Sequence, residues 1–248
     1  MYRFFVEPSQ ITENKIFVEG SDYNHIKNVL RMKIGEEVSV AVPNDDKEYR
    51  CGVESYDEDR AVLTVRFIKE NNVELPCKIT LLQCLPKADK MELIIQKAVE
   101  LGVTEIIPVS SKRAVVKLDE KKAASKISRW NSISEAAAKQ AKRAIIPEVK
   151  MPLSVKEALD YCKDIDVKVI PYELSAGEGM DDTREIFKNI KSGESVAIFI
   201  GPEGGFENTE VDAAKESGFK PVTLGRRILR TETAGMTVLS WLVYLLEE

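Results

Sequence analysis

A glycine-rich segment follows an apolar run in the C-terminal part of this 248-residue chain. Residues 195–200 (SVAIFI) lead directly into residues 201–206 (GPEGGF). In open α/β sheets such a loop, at the carboxyl end of a strand, binds ligands, because glycines allow close approach and expose N–H groups. The segment lacks a Gly-Lys-Ser/Thr or G-x-G-x-x-G spacing, and Glu203 would repel a phosphate. It favours a ligand with ribose hydroxyls, an amine or a positive centre, with a purely structural turn as the alternative.

A second glycine-bearing segment, residues 224–235 (LGRRILRTETAG), follows another predicted strand and precedes an amphipathic C-terminal helix. We expect Thr231 to be the N-cap of that helix, with Ala234 at position N3. Arg230 would then lie at the helix N-terminus, where the dipole disfavours a cation, which indicates a nearby ligand or substrate anion. A surface ion pair between Arg230 and Glu232 is the alternative.

Composition excludes several other kinds of chemistry. The chain is 44% hydrophobic and 31% charged, with a formal net charge of −5, as expected for a soluble globular protein. His25 is its only histidine, which excludes a His-rich zinc site or a mechanism that needs two imidazoles. No CxxC pair occurs, so we expect reduced thiols in a cytoplasmic protein that binds no metal. The N-terminus does not resemble a signal peptide, and the longest apolar run, residues 241–246, is too short to span a bilayer.

Two arrangements of secondary structure must position these loops. The first part of the chain has the short β patterns of a small barrel, interrupted by one helix that starts at Ser21 or Asp22 and turns Ile26, Val29 and Leu30 inward. The predicted strands there are residues 2–7, 15–19, 37–42, 48–54 and 61–68. Residues 69–74, closed by Pro76, are the best candidate linker.

After Pro76 strands and helices alternate, which is typical of a mostly parallel sheet covered by helices. The predicted strands are residues 78–84, 105–109, 167–171, 195–200 and 221–224. The predicted helices are one that starts at Asp89 and ends at Gly102, followed by residues 120–145, 154–162, 181–189, 209–217 and 231–246. The sequence therefore predicts an α/β protein with a domain at residues 1–72 and a second at residues 73–248.

Positive charge is concentrated in the middle of the chain. Lys and Arg number 10 against 15 Asp and Glu in residues 1–75, 15 against 8 in residues 76–150, and 11 against 18 in residues 151–248. Helical spacing over residues 120–145 places Glu135, Lys139, Lys142 and Arg143 on one side, opposite Trp130, Ile133, Ala137, Ala141 and Ala144. This pattern fits either a polyanion site or an ordinary solvated helix face.

Six segments in order carry a family resemblance. They are YRFF (2–5), HIKNVLR (25–31), KADKMELIIQKAVELGVTEIIP (87–108), SEAAAKQAKR (134–143), GPEGGF (201–206) and LGRRILRTETA (224–234). With these segments the chain resembles the 16S ribosomal RNA uridine-N3 methyltransferases, a family of the SPOUT superfamily of knotted S-adenosylmethionine-dependent enzymes.

The resemblance implies a PUA-like RNA-binding β-barrel at residues 1–72 and, at residues 73–248, a SPOUT methyltransferase domain with a trefoil knot and a mostly parallel sheet. It also implies a homodimer that acts on 16S rRNA or the small ribosomal subunit, with S-adenosylmethionine as methyl donor. The donor contacts implied in this chain are Ile200, Gly201, Glu203, Gly204, Gly205, Leu224, Gly225, Ile228, Leu229, Arg230, Thr233 and Ala234.

For the reaction, we expect Arg230 to stabilise negative charge that develops on the base, and Glu232 to orient Arg230 or help remove the N3 proton. Positive charge and family position indicate RNA contacts at Arg31, Lys87, Lys90, Arg113, Lys139 and Arg143. Two alternatives stay open: a non-catalytic rRNA-binding assembly factor, and a methyltransferase of the same fold that acts on tRNA.

Overall fold

The computed structural model describes residues 1–70, 73–116, 118, 120–172 and 180–247. The chain forms two compact units: unit 1 comprises Met1–Glu74 and Ala138–Ile146, and unit 2 comprises Leu75–Ala137 and Pro147–Glu248. The predicted boundary after residue 72 lies two residues from the end of the first segment, but the sequence did not indicate that residues 138–146 belong to unit 1. The predicted linker includes residues 71–72, which lie outside the described residues.

Unit 1 is built on a five-stranded sheet. Its strands are β1 (Arg3–Phe5), β2 (Lys15–Glu19), β3 (Glu37–Ala41), β4 (Lys47–Tyr56) and β5 (Arg60–Glu70), in the order β1-β3-β4-β5-β2. All neighbours are antiparallel except β1 and β3. Alternating apolar residues such as Ile16, Val18 and Val38 are buried in one core.

The helix of unit 1 differs from its prediction. Helix α1 (Gly20–Asn24) continues as a π-helical turn (His25–Val29), in which the Leu30 N–H donates to the His25 carbonyl at 2.8 Å. Ile26 is buried as predicted, but Val29 is 64% exposed. The prediction for Val29 was wrong because the i→i+5 turn rotates this residue away from the face that regular helical spacing assigns to it.

Buried charges hold unit 1 together. The Arg3 guanidinium pairs with Glu48, which also accepts from Arg50 at 2.5 Å. Arg3 donates to the carbonyl of Arg143 at 2.9 Å, and the Arg143 side chain pairs with Glu74 at 2.6 Å. These bonds attach residues 138–146 to the strands of unit 1, so Arg143 is a structural residue here.

Unit 2 is built on a parallel sheet. Its strands are β6 (Lys78–Cys84), β7 (Glu105–Ser110), β8 (Glu148–Val149), β9 (Leu153–Ser154), β10 (Val167–Pro171), β11 (Ser195–Ile200) and β12 (Lys220–Val222). The order is β12-β10-β11-β6-β7-β8, with β9 also paired to β7. The central strands read as continuous apolar runs because helices cover both faces of such sheets. The two-residue strands β8 and β9 were not predicted, since they are too short to show a pattern.

Six further helices complete the chain: α2 (Lys90–Glu100), α3 (Glu120–Gln140), α4 (Val155–Tyr161), α5 (Met180–Lys188), α6 (Asn208–Glu216) and α7 (Thr231–Leu246). Helix α3 ends five residues earlier than predicted, and Lys142 beyond it has a left-handed φ of 59°. The predicted basic face of this helix is therefore wrong, because Lys142 and Arg143 are not helical. The N-cap of α7 is Arg230 and not Thr231.

Candidate functional site

A pocket of about 910 Å³ lies at the carboxyl edge of the unit 2 sheet. Strands β12, β10 and β11 are neighbours in that sheet, so the segments that follow them meet at one edge. The walls come from Pro171 and Tyr172 after β10, residues 200–206 at the end of β11, and residues 228–231 with Ala234 after β12. The two glycine-bearing segments singled out in the sequence thus face one cavity.

Most of the predicted donor contacts line this pocket: Ile200, Gly201, Glu203, Gly204, Gly205, Ile228, Leu229, Arg230 and Ala234. Leu224, Gly225 and Thr233 do not line it. Sequence reasoning missed Pro171, Tyr172, Pro202, Phe206, Asn208 and Thr231. The end of β10 could have been included, because a parallel strand predicted at residues 167–171 must open on the same edge as β11.

The glycines of the first loop are required by its shape. Gly205 has a φ of 67°, a conformation that favours glycine, and its N–H donates to the Pro202 carbonyl at 2.9 Å. A Cβ on Gly201 would lie 3.0 Å from the Phe206 ring. Phe206 in turn packs edge-on against Phe199 of β11, with ring centroids 4.7 Å apart. The loop is therefore folded tightly over the strand, with Glu203 at its turn.

Lys90, at the start of α2, bridges two carboxylates of the site. Its Nζ lies 3.1 Å from Glu203 Oε1 and 3.3 Å from Glu232 Oε2. The hydrogen bond to Glu203 raises the pKa of Lys90. Burial raises the pKa of Glu203, but backbone N–H groups, including that of Lys87 at 3.1 Å, together with the Lys90 ammonium, outweigh it and hold this pKa below its ordinary value. The pocket therefore presents an ionised carboxylate.

A buried amide connects the sheet to both loops. Gln83, fully buried on the central strand β6, donates through Nε2 to Thr231 Oγ1 at 2.9 Å and to the Cys84 carbonyl at 3.0 Å. The Thr231 hydroxyl donates to the Gly201 carbonyl at 2.6 Å. This chain of hydrogen bonds fixes the start of α7 against the glycine loop, and so places Arg230 and Glu232, the neighbours of Thr231 in sequence.

The two residues predicted to be catalytic have different environments. Arg230 is exposed, lines the pocket, and has no carboxylate within ion-pair distance among the described residues. Glu232 is half-buried and pairs with Lys90. The sequence alternative of an Arg230–Glu232 surface pair is therefore not what the described residues form, and Glu232 is placed to orient Lys90 instead of Arg230.

The predicted RNA contacts fall into two groups. Arg31, in unit 1, and Lys87, beside the pocket, are exposed, and Arg113 lines the pocket with its Nη1 3.2 Å from the Gly204 carbonyl. By contrast Lys90 is shared by Glu203 and Glu232, and Lys139 pairs with Asp22 at 2.9 Å. Arg143 is only 2% exposed, so we withdraw it as an RNA contact because its charge is already used by Glu74.

Other chemistries find little support in the described residues. All four cysteines are free and buried, and burial raises the pKa of Cys84 and of Cys162 to about 12, which opposes thiolate formation. Among the residues described, no group of three or more His, Cys, Asp or Glu side chains could hold a metal ion. Over the same residues no helix is both long and apolar enough to cross a bilayer.

Comparison with known proteins identifies both units. The chain matches the family model of an RNA methyltransferase domain over residues 73–243, and that of an RNA methyltransferase PUA domain over residues 18–66. It is 39% identical to the ribosomal RNA small subunit methyltransferase E of Bacillus subtilis (strain 168), over 98% of this chain and 96% of that protein. It is 35% identical to the protein of the same name from Mesomycoplasma hyopneumoniae (strain 232), over 97% and 98% of the two chains.

A solved structure gives the same result. The ribosomal RNA small subunit methyltransferase E of Neisseria gonorrhoeae, crystallised with bound S-adenosylmethionine, superposes with a TM-score of 0.85 at 30% identity. The match covers 99% of this chain and 98% of that one. The α/β fold with its PUA-like first unit is therefore confirmed, while the trefoil knot stays a prediction.

Proposed function

The chain belongs to the ribosomal RNA small subunit methyltransferase E family of RNA methyltransferases, and from this membership we propose that it transfers a methyl group from S-adenosylmethionine to N3 of a uridine in 16S rRNA. The observation that carries the proposal is the pocket that both glycine-bearing loops share, with the ionised Glu203 carboxylate at its wall.

The pocket fits this donor better than it fits a nucleotide phosphate. Apolar side chains of Ile200, Phe206 and Leu229 can pack against a flat base, and loop backbone can approach it closely. Glu203 suits the donor's positive sulfur and amino group, whereas it would repel a phosphate. We assign Ile200, Gly201, Glu203, Gly204, Gly205, Ile228, Leu229, Arg230 and Ala234 to donor binding on this ground, with Leu224, Gly225 and Thr233 kept only on the family resemblance.

When bound, S-adenosylmethionine supplies a methyl group already activated on a positively charged sulfur. The residues of the chain have to align uracil N3, stabilise the negative charge of the ring and accept the N3 proton. Arg230 is suited to the second task because its guanidinium is exposed at the pocket and unpaired by any described carboxylate. Glu232 is suited to the third, and Lys90 orients its carboxylate.

For the RNA we retain Arg31, Lys87 and Arg113 as contacts, because their side chains are exposed. Lys90 and Lys139 become contacts only if RNA competes with the carboxylates that now hold them. The substrate is thus proposed to be 16S rRNA or the small subunit, in the cytoplasm.

A homodimer is also proposed, on the family resemblance. The sequence offered the apolar side of the last helix as a contributor, but Val238, Leu239 and Leu242 are buried in their own subunit and Trp241 packs against Phe187 at 5.5 Å. Sedimentation of the purified protein tests the proposal, since a monomer at assay concentrations would contradict it.

The reaction is tested with purified protein, methyl-labelled S-adenosylmethionine and small subunits that lack the modification. We expect 3-methyluridine on nucleoside mass spectrometry, and at least a tenfold lower single-turnover rate for Arg230→Ala and for Glu232→Gln with donor and RNA affinities unchanged. Glu216→Gln and Arg184→Ala, on α6 and α5 outside the pocket, are matched controls that should keep the wild-type rate. No methylation, methylation at another atom, or wild-type rates in both site variants would contradict the proposal.

A further inference from the structure

Three arginines lie within five residues on the segment that connects β12 to α7. Arg226, Arg227 and Arg230 are all exposed, and none has an ion-pair partner among the described residues. Like charges held this close repel one another, so the arrangement costs free energy unless an anion is bound. The surrounding sequence makes the cluster more unusual, since residues 151–248 contain 11 basic and 18 acidic residues.

Other cations beside the pocket are already neutralised. Lys90 is held by Glu203 and Glu232, and Lys112 lies 3.1 Å from Glu207. The uncompensated charge of the segment therefore does not reflect a general shortage of carboxylates in this part of unit 2. It is specific to the residues that follow Gly225, whose φ of 100° starts the segment.

The position of the two leading arginines separates them from the donor. Ile228, Leu229 and Arg230 line the pocket, whereas Arg226 and Arg227, directly before them, do not. Ile228 is 83% exposed, so the segment leaves the protein surface at the mouth of the pocket. A strand of RNA whose base enters this pocket must carry its own phosphates past this mouth.

We propose that Arg226 and Arg227 bind backbone phosphates that flank the target nucleotide. The inference rests on the proposed function for the identity of the polyanion. Guanidinium groups suit this task because their planar donors match two phosphate oxygens at once. The same contacts neutralise the repulsion within the cluster, and they leave Arg230 free to face the base.

The test compares Arg226→Gln/Arg227→Gln with Lys156→Gln/Lys163→Gln. The control pair removes the same charge from exposed lysines on α4 and just after it, outside the pocket. Binding of 16S rRNA transcript is titrated from about 50 to 300 mM KCl, where each lost phosphate contact lowers the slope of log K against log salt by roughly 0.7–0.9. We expect the arginine pair to lose roughly 1.4–1.8 of slope and about tenfold in affinity per contact near 0.1 M salt. The control pair should follow the wild-type line.

Two more measurements make the result specific. Calorimetric affinity for S-adenosylmethionine should change less than about twofold in the arginine variant, and Arg226→Lys/Arg227→Lys should recover most of the lost slope because charge dominates this term. A wild-type salt slope in the glutamine variant, an equal loss in the control, or a loss of donor affinity would overturn the inference. A wild-type protein that binds rRNA but does not methylate uridine N3 would defeat the proposed reaction instead, and the same titration would still test the arginines.

Discussion

The two units use their charged side chains in opposite ways. In unit 1, Arg3, Glu48 and Arg143 are buried and satisfy one another, so their charges are spent inside the fold. In unit 2 the interior of the sheet is apolar, and the charged groups that matter, such as Glu203 and Arg230, sit on loops at its edge. Residue type is the same in both places, and what differs is whether a partner of opposite charge is fixed nearby. A basic residue in an RNA-binding family is thus a contact only where the fold leaves it unpaired.

The largest effect is expected from Glu48→Gln in unit 1. It leaves the Arg3 guanidinium buried without its counter-charge, which should cost about 3–5 kcal/mol of unfolding free energy. Burial raises the pKa of Glu48, but the Ser39 hydroxyl and the charges of Arg3 and Arg50 outweigh it, so this pKa lies below its ordinary value of 4.5. The wild type should therefore lose this stability as pH falls from about 4.5 through the lower folded pKa, and the variant should lack that loss.

Urea unfolding across this pH range measures both expectations. Glu54→Gln is the control, because Glu54 pairs with Lys15 on the surface and its removal should leave the melting temperature nearly unchanged. Equal stability of the two variants would mean that the buried network of unit 1 is not what distinguishes it from unit 2.

The next effect concerns the pocket of unit 2. Glu203→Gln removes the carboxylate that we assign to the cationic part of the donor, and affinity for S-adenosylmethionine should fall about 10- to 100-fold, as for a hydrogen bond to a charged group. Stability should change little, in contrast to Glu48→Gln. Calorimetry on wild type, Glu203→Gln and the Glu216→Gln control decides the matter, and an unaltered donor affinity would remove Glu203 from the binding site.

A smaller effect is expected where unit 2 does bury a polar group. Thr231→Val keeps the shape of the side chain but breaks the link from Gln83 to the Gly201 carbonyl, which should cost roughly 1–2 kcal/mol and reduce donor affinity by about tenfold. Thr231→Ser keeps the hydroxyl and should retain affinity within about threefold. Donor titrations beside thermal melts distinguish positioning from stability, and equal donor affinities in the two variants would show that the hydroxyl has no positioning role.

The smallest effect is a shift in pH dependence. Lys90 helps to keep the pKa of Glu203 low, so wild-type donor affinity should hold as pH falls towards 4.5 and decline only below it. In Lys90→Met the pKa of Glu203 rises, and the decline should begin at a higher pH, because the protonated carboxyl cannot bind a cation. Donor titrations from about pH 4 to 7 measure the two midpoints, and coincident curves would show that Lys90 has no influence on the charge of Glu203.

Sequence reasoning succeeds where a physical pattern is local. Strands β6, β10 and β11 begin and end at the predicted residues, because strands buried on both faces read as apolar runs between polar ends. The glycine segments are equally legible, and most of the donor contacts implied by the resemblance line the pocket. The charge on Arg143 is legible too, but its partner Glu74 is 69 residues away, so nothing local shows that it is buried. Helix α3 ends early for a related reason, because its last residues are recruited to unit 1.

The hydrogen bonds from Gln83 to Thr231 and on to Gly201 also have a consequence for biosynthesis. Their members are separated by 148 and 30 positions, and the last of them to leave the ribosome is Thr231. A nascent chain that has emerged only as far as β11 can pair its central strands, yet it lacks the hydroxyl that holds the glycine loop and the Arg230 that borders it. The donor pocket is therefore a late product of translation, and incomplete chains would be unable to withdraw S-adenosylmethionine from the cell before the enzyme is finished.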